Sequence, residues 1–140
     1  SNAAPRNVYS TMLQKGFKKT EIKALFQSSG TFHTRKKNEL QIAIVDEAHR
    51  LRKKSGMFQN QGEDQIKEII NASIFSVFFI DRNQRVTFND AGTIDKIRNF
   101  AQEQNSLIYE GVLESQFRCN GSDGYLAWLD NVLQIAETAN

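Results

Sequence analysis

Three short apolar runs stand out along the chain, each bounded by polar residues. They are Leu40–Val45, Ser73–Ile80 and Leu107–Leu113. Short continuous runs, without strict alternation of apolar and polar positions, are typical of strands that are buried on both faces. We therefore expect three strands of a parallel sheet, joined by the more polar stretches between them.

Two of these polar stretches carry apolar residues at helical spacing. In residues 63–72, Ile66, Ile69 and Ile70 fall on one face, and acidic residues occupy the first turn, where the helix dipole favours negative charge. Residues 93–104 repeat the pattern and begin with a threonine, which is a good N-cap residue. Each stretch predicts an amphipathic helix.

The remaining segments are less regular. A closing helix is expected after a cap at Ser122 or Asp123. Residues 7–15 predict a short helix, and residues 22–32 fit either a helix or a strand. Residues 50–62 are rich in Lys, Gln, Gly and Ser and predict a loop.

Strands that alternate with helices predict βαβ units and hence a three-layer α/β/α domain with a mainly parallel sheet. In such sheets ligands bind at the carboxyl ends of the strands. Polar side chains follow each of the three runs at this edge: Asp46 with Glu47, Asp81 with Gln84, and Gln116 with Arg118.

Asp46 and Glu47 directly follow four aliphatic residues, and acidic residues are disfavoured in buried strands. Adjacent residues at a strand end point in different directions, so the two carboxylates can have different tasks. One can hold phosphate-bound Mg²⁺ through a water molecule while the other orients or deprotonates an attacking water. The simpler interpretation is that both acids cap the next turn or face solvent.

Composition narrows the class of protein. The chain has 140 residues, which is one domain or a piece of a larger protein. Its longest apolar run is far shorter than the roughly 20 residues of a membrane span. We expect a soluble protein of the cytoplasm, and the single Cys119 agrees with a reducing compartment.

Charge is distributed unevenly. Residues 1–60 carry twelve Lys and Arg against four Asp and Glu, whereas residues 61–140 carry six against twelve. Two clusters of the basic half are candidate phosphate contacts for a nucleic acid: Arg35, Lys36 and Lys37, and Arg52, Lys53 and Lys54. The alternative is an ordinary solvated face.

Three motifs at the strand ends carry a family resemblance: IVDEAHRL, FFIDRNQ and LESQFRCNGS. Together they resemble the motor core of superfamily 1 helicases. More closely, they resemble a bacterial P-loop ATPase family of unknown function with a Schlafen-type (group 3) DNA/RNA helicase domain. The resemblance runs from about residue 8 to residue 133 and implies a RecA-like motor domain that uses ATP and Mg²⁺ and acts on nucleic acid.

The resemblance assigns roles to the first motif. By it, Asp46 binds Mg²⁺ in the manner of a Walker B aspartate, and Glu47 is the catalytic base. His49, which follows the acidic pair, belongs to the apparatus that couples hydrolysis to nucleic acid.

It also assigns roles to the other two motifs. Asp81 and Gln84 correspond to an Asp-x-x-Gln motif that senses the γ-phosphate, and Arg118 corresponds to an arginine that stabilises phosphate charge in the transition state. The family usually has glycine before the aspartate of this motif, and Ile80 stands there in this chain.

A P-loop is absent from the sequence. It needs G-x-x-x-x-G-K-[ST], and the nearest stretch, residues 16–20, has Lys18 in place of the second glycine and Leu13 in place of the first. Residues 1–3 resemble the remnant of an affinity tag. We therefore expect residues 4–140 to be the C-terminal part of a motor domain, with the P-loop segment upstream and a second motor domain downstream.

Two other hypotheses come from different classes. His33, His49 and Cys119 show no metal-ligand spacing and are better explained as structural or surface groups. The main alternative to an ATPase is a nucleic-acid-binding or protein-interaction module that keeps the fold without catalysis. A P-loop upstream in the same gene would favour the ATPase.

Overall fold

The structure is a computed structural model of the chain, and it divides into two compact units, Ser1–Leu107 and Ile108–Asn140. It describes residues 3–56, 58, 60–81, 84, 91–113, 123–135 and 137.

The first unit begins with two helices, α1 (Ala3–Leu13) and α2 (Lys19–Leu25), followed by a 3-10 helix, Ser29–Thr34. The helical alternative for residues 22–32 is therefore the one observed. Glu21 caps the start of α2 by accepting the Lys18 backbone N–H at 2.8 Å.

Strands β1 (Leu40–Val45) and β2 (Ser73–Phe78) pair in parallel, with Leu40 opposite Ser73 and Val45 opposite Phe78. Helix α3 (Gln65–Ala72) lies between them in sequence. Asp64 begins this helix by accepting the Ile66 N–H at 3.0 Å. The predicted strand, loop, helix and strand of this region are confirmed in order and type.

Helix α4 (Ile94–Glu103) follows, and Thr93 caps it as predicted, accepting the Lys96 N–H at 3.2 Å. The Lys96 ammonium lies 3.7 Å from the second Asp64 carboxylate oxygen, so the caps of α3 and α4 are joined. The two helices cover one face of the sheet. The core of this unit contains Ala43, Ala48, Leu51, Ile66, Ile69, Ile70 and Ala101.

The opposite face of the sheet corrects the sequence prediction. Ile42 and Ile44 lie opposite Phe75 and Val77, and Ile44 is 71% exposed. Burial of β1 on both faces is therefore wrong for the part of the chain that the structure describes. The reason is that α3 and α4 pack on the face of Ala43, and no described element of this unit covers the other face.

The second unit contains α5 (Asp123–Val132), in which the rings of Tyr125 and Trp128 stack with centroids 6.0 Å apart. The predicted strand over residues 107–113 is not formed: the segment is irregular and exposed, and Leu107 is 86% exposed. An apolar run becomes a strand only where another strand accepts its backbone hydrogen bonds, and none of the described residues does so here. The fold is thus mixed helix and strand around a two-stranded parallel sheet, consistent with the α/β class.

Candidate functional site

The turn that follows β1 holds the two acids in different settings. Asp46 is exposed, whereas Glu47 is half-buried and adopts a left-handed backbone conformation, with φ 57° and ψ 44°. That conformation is uncommon for residues other than Gly, Asn and Asp and costs roughly 1 to 2 kcal/mol. A glutamate keeps it only where its surroundings hold it there.

His49 provides one such restraint. Its side chain is buried, with the residue 2% exposed, and its Nε2 lies 3.3 Å from a carboxylate oxygen of Glu47. Its Nδ1 accepts the backbone N–H of Asp81 at 3.4 Å. The bond from Asp81 makes Nδ1 an acceptor, and the opposite ring nitrogen, Nε2, faces the Glu47 carboxylate.

Backbone hydrogen bonds join the same two strand ends. The Phe79 N–H donates to the Val45 carbonyl at 2.9 Å, and the Ala48 N–H donates to the Phe79 carbonyl at 2.8 Å. The N–H of Ala91, just before α4, donates to the Leu51 carbonyl at 2.7 Å. Three stretches far apart in sequence therefore meet at the carboxyl end of the sheet.

Gly92 allows the segment before α4 to approach the backbone of Ala48 and His49 closely. The sequence did not predict this role. A Cβ at this position would overlap the carbonyl oxygen of Ala48 and lie 2.8 Å from the Cα of His49. Real Cβ atoms do not approach backbone so closely, so only glycine fits. The available signal was a glycine directly before the Thr93 cap, at the point where a helix begins beside a strand end.

A shallow pocket of about 270 Å³ lies at the same edge. Asp81 lines it together with Gly92 and the first residues of α4, and Arg98 lies at its rim, with a guanidinium nitrogen 3.3 Å from Asp95. Gln84 is exposed. Of the residues predicted at this edge, Asp46, Glu47, His49 and Asp81 are brought together, whereas Gln116 and Arg118 lie outside the described residues.

The oxygen donors at the end of β1 suit one kind of metal. Mg²⁺ prefers carboxylate and water oxygens and is commonly held by one or two carboxylates together with substrate phosphates. Asp46 is exposed and follows directly from the strand, so its carboxylate fits that requirement. The described residues contain no cluster of three or more His, Cys, Asp or Glu side chains able to hold a metal by themselves.

Comparison with known families shows which family the chain belongs to. The model of the Schlafen group 3, DNA/RNA helicase domain matches residues 1–140. The chain belongs to the Schlafen group 3 helicase-domain family. No curated protein and no solved structure matches it.

Membership makes this Schlafen-type domain a helicase-like module related to nucleic acids. Within the described ranges, no helix is long and apolar enough to cross a membrane. The charged segments of the domain are therefore of interest as candidate contacts to nucleic acid.

The first basic cluster of the Schlafen-type domain is engaged within the protein. The Arg35 guanidinium donates to Glu39 and to Gln27, both at 2.5 Å, and lies 5.8 Å from the centre of the Phe32 ring. Its side chain is 20% exposed. Lys36 and Lys37 are exposed and precede β1, at the opposite end of that strand from Asp46.

The second basic cluster, Arg52–Lys54, is called the basic loop below. All three residues are exposed. They follow the buried Leu51 and, like Glu47 and His49, come after the carboxyl end of β1. Within the described part of the chain, the side chains of these three cations form no ion pair and no hydrogen bond.

Proposed function

We propose that this Schlafen-type domain is part of an ATP-hydrolysing P-loop motor of the superfamily 1 helicase type, with a three-layer RecA-like architecture. The observation that carries the proposal is the chain of contacts from Glu47 through His49 to the Asp81 backbone. It links the strand end expected to hydrolyse ATP to the strand end expected to sense the γ-phosphate.

In this mechanism Glu47 is the catalytic base. One oxygen of its half-buried carboxylate lies 3.3 Å from Nε2 of His49, which would leave the other oxygen to orient a water for in-line attack. His49 is a positioning residue, because it acts through Glu47 and through the backbone of Asp81.

Asp46 would hold Mg²⁺ through a coordinated water. Mg²⁺ and ATP, when bound, supply the charge neutralisation and the phosphoryl group of the reaction. Asp81 and Gln84 would respond to the γ-phosphate, and Arg118 would donate to the phosphate oxygens as charge builds up on them. Arg35, Lys36, Lys37 and the basic loop are the candidate contacts to the phosphates of a nucleic acid.

Arg118 gives a direct test of the proposal. Steady-state ATP hydrolysis is measured in the full-length protein with Arg118→Ala and Arg118→Lys, and thermal melting confirms folding. We expect losses on the order of 10³-fold for alanine, since arginines supplied to phosphoryl transfer contribute that much. The lysine variant should also be strongly impaired because it lacks the planar fork. A folded Arg118→Ala protein that keeps more than about a tenth of the rate would remove Arg118 from the site.

ATP binding by these 140 residues gives a second test. Triphosphate affinity comes largely from the backbone cradle and lysine of a P-loop, and the sequence contains no G-x-x-x-x-G-K-[ST]. We therefore expect a dissociation constant well above about 1 μM, which corresponds to roughly −8 kcal/mol. Titration calorimetry that finds tighter binding would contradict this account of the phosphate site.

One alternative function does without catalysis. A Schlafen-type domain whose gene lacks a P-loop altogether would be a nucleic-acid-binding or protein-interaction module without catalysis. Nucleic-acid binding by a full-length protein that does not hydrolyse ATP is the result that would select this alternative.

A further inference from the structure

The segment from residue 52 to residue 61 combines the basic loop, which the proposed function already uses, with an exposed aromatic ring that it does not use. It begins with the three exposed cations of the basic loop, and it carries Phe58, whose side chain is among the most exposed in the structure at 82%. Exposing a phenyl ring costs free energy in water, so an aromatic side chain beside cations suggests a ligand with both planar and anionic parts.

Gln65 holds the beginning of this segment in place. The residue is 5% exposed, and its Oε1 accepts the Arg52 backbone N–H at 2.9 Å. Its own backbone N–H donates to the Arg52 carbonyl at 3.2 Å. Both backbone groups of Arg52 are therefore bonded to a single residue at the start of α3.

Ser55 closes the other side of the basic loop. Its hydroxyl accepts the Gln65 side-chain N–H at 3.0 Å, and its backbone exchanges two hydrogen bonds with Gln61, at 2.8 and 3.0 Å. Gly56, with φ 88°, begins the turn that carries Phe58. The backbone on both sides of the three cations is thus fixed, which lowers the entropy lost when their side chains bind a partner.

Lys67 differs from the three cations of the basic loop, because it has an acidic partner. The Lys67 ammonium on α3 donates to Glu63 at 2.5 Å, and this hydrogen bond, with the attraction between the charges, raises the pKa of Lys67 and lowers that of Glu63. Glu63 is therefore already paired with Lys67. The three cations of the basic loop have no such partner among the described residues, which leaves them available to an external anion.

From these contacts we infer that the basic loop and Phe58 form a binding surface for single-stranded nucleic acid. The three cations neutralise successive phosphates, and the Phe58 ring stacks on an unpaired base. Cations that follow the backbone, together with an aromatic ring on which bases stack, make up the usual sequence-independent mode of binding to single strands. Gln65 is the positioning residue of this surface. The inference rests on the nucleic-acid part of the proposed function and is independent of ATP hydrolysis.

The test is a titration of a labelled single-stranded oligonucleotide of mixed sequence, followed by fluorescence anisotropy at several salt concentrations. DNA and RNA strands and a duplex are compared. Replacing Arg52, Lys53 and Lys54 with alanine should reduce the slope of log affinity against log salt by about 2, at roughly 0.7 for each phosphate contact to a single strand. The matched control replaces Lys15, Lys19 and Lys23, which are also exposed and carry the same charge, and should change the slope by less than 1.

Phe58 distinguishes this surface from a simple basic patch. Phe58→Ala should weaken binding to the single strand by about tenfold without changing the salt slope, and should leave duplex affinity unchanged. Phe58→Trp should restore binding. The control is Phe17→Ala, which removes another exposed ring outside the surface.

Gln65→Met tests the positioning role, because methionine fills the same volume without the hydrogen bonds. It should weaken binding several-fold while keeping the salt slope, in a protein that melts cooperatively.

Two results would overturn the inference but not the proposed function. One is an equal effect of the basic-loop triple variant and the control triple variant, and the other is an unchanged affinity in Phe58→Ala. Absence of any single-strand binding by the parent chain would overturn both the inference and the nucleic-acid part of the proposed function. Loss of ATP hydrolysis with binding intact would leave the inference standing.

Discussion

The two ends of β1 share two features, a left-handed residue and a neighbouring basic cluster, but the surroundings of these features differ. Each end has a residue in the left-handed conformation, Asn38 with φ 56° and Glu47 with φ 57°, and each lies beside a basic cluster. At the amino end, asparagine tolerates this conformation, and the arginine of the cluster is paired inside the protein. At the carboxyl end, a glutamate adopts it at a cost, and the cations of the basic loop have no acidic partner among the described residues. Backbone strain therefore occurs together with exposed, unpaired cations only at the end of the strand where we propose the site, within the described residues.

The largest expected difference between the two ends concerns hydrolysis. In the full-length protein, Glu47→Gln should lower the steady-state ATPase rate by about 10³-fold, because loss of a general base costs on the order of 10² to 10⁴. The control at the amino end is the double variant Lys36→Ala and Lys37→Ala, which should hydrolyse ATP at nearly the parent rate. A Glu47→Gln protein that keeps more than a tenth of its activity would show that this end of β1 is not catalytic.

The next prediction concerns the close packing at the carboxyl end. Gly92→Ala should lower the free energy of unfolding by about 2 kcal/mol, since the new methyl group overlaps the Ala48 carbonyl and forces the backbone apart. Gly16→Ala is the matched control, because nothing lies within 4 Å of a Cβ built there. Its effect should stay within about 0.5 kcal/mol. Urea denaturation of both variants measures the difference, and equal stabilities would show that the contact around Gly92 is looser than described.

Arg35 tests whether the amino-end cluster is structural. Arg35→Ala should destabilise the chain by about 1 kcal/mol, because it removes charge-assisted hydrogen bonds to Glu39 and Gln27 at a partly exposed site. Lys37→Ala should change stability by less than about 0.5 kcal/mol. Thermal and urea melts compare the two. If instead Arg35→Ala left stability intact and weakened nucleic-acid binding, the cluster would belong to the functional surface after all.

The smallest effect is also the most direct measure of strain. Glu47→Gly should raise the free energy of unfolding by about 0.5 kcal/mol, since relief of about 1 kcal/mol of left-handed strain exceeds the roughly 0.5 kcal/mol lost with the Glu47 to His49 contact. Asn38→Gly should gain less, because asparagine tolerates that conformation. A lower stability of Glu47→Gly than of Asn38→Gly, measured in the same urea series, would argue against strain at Glu47.

The sequence predicted the elements whose signals are local. Leu40–Val45 is a strand because its aliphatic run is bounded by polar residues, and α4 begins at Thr93 because a cap and an apolar face agree. Burial was harder to predict. Ile44 and Leu107 are exposed, because whether an apolar residue is covered depends on which distant elements pack nearby, and periodicity carries no information about that.

The candidate site likewise has features that the sequence predicted and features that it did not. The acids after β1 were recognisable because carboxylates at the end of an aliphatic run are unusual, and the motif around them suggested a role. The left-handed conformation of Glu47, the Gly92 contact and the bonds from Gln65 to the basic loop depend on backbone segments that are far apart in sequence. Such features follow from the assembled fold.

The parallel pairing of β1 with β2 has a consequence for how the chain folds. Paired residues such as Leu40 and Ser73 are separated by 33 positions (73 − 40), so the sheet gains no hydrogen bond from any local turn. Closing a segment of that length costs about 3 kcal/mol of chain entropy beyond a constant term, which only the burial of α3 against the sheet can offset. Strands β1 and β2 should therefore form together with α3 in one cooperative step, and this step should occur late in folding. In native-state hydrogen exchange, the amides of these three elements should open as a single unit, while those of α1 and α2 exchange earlier.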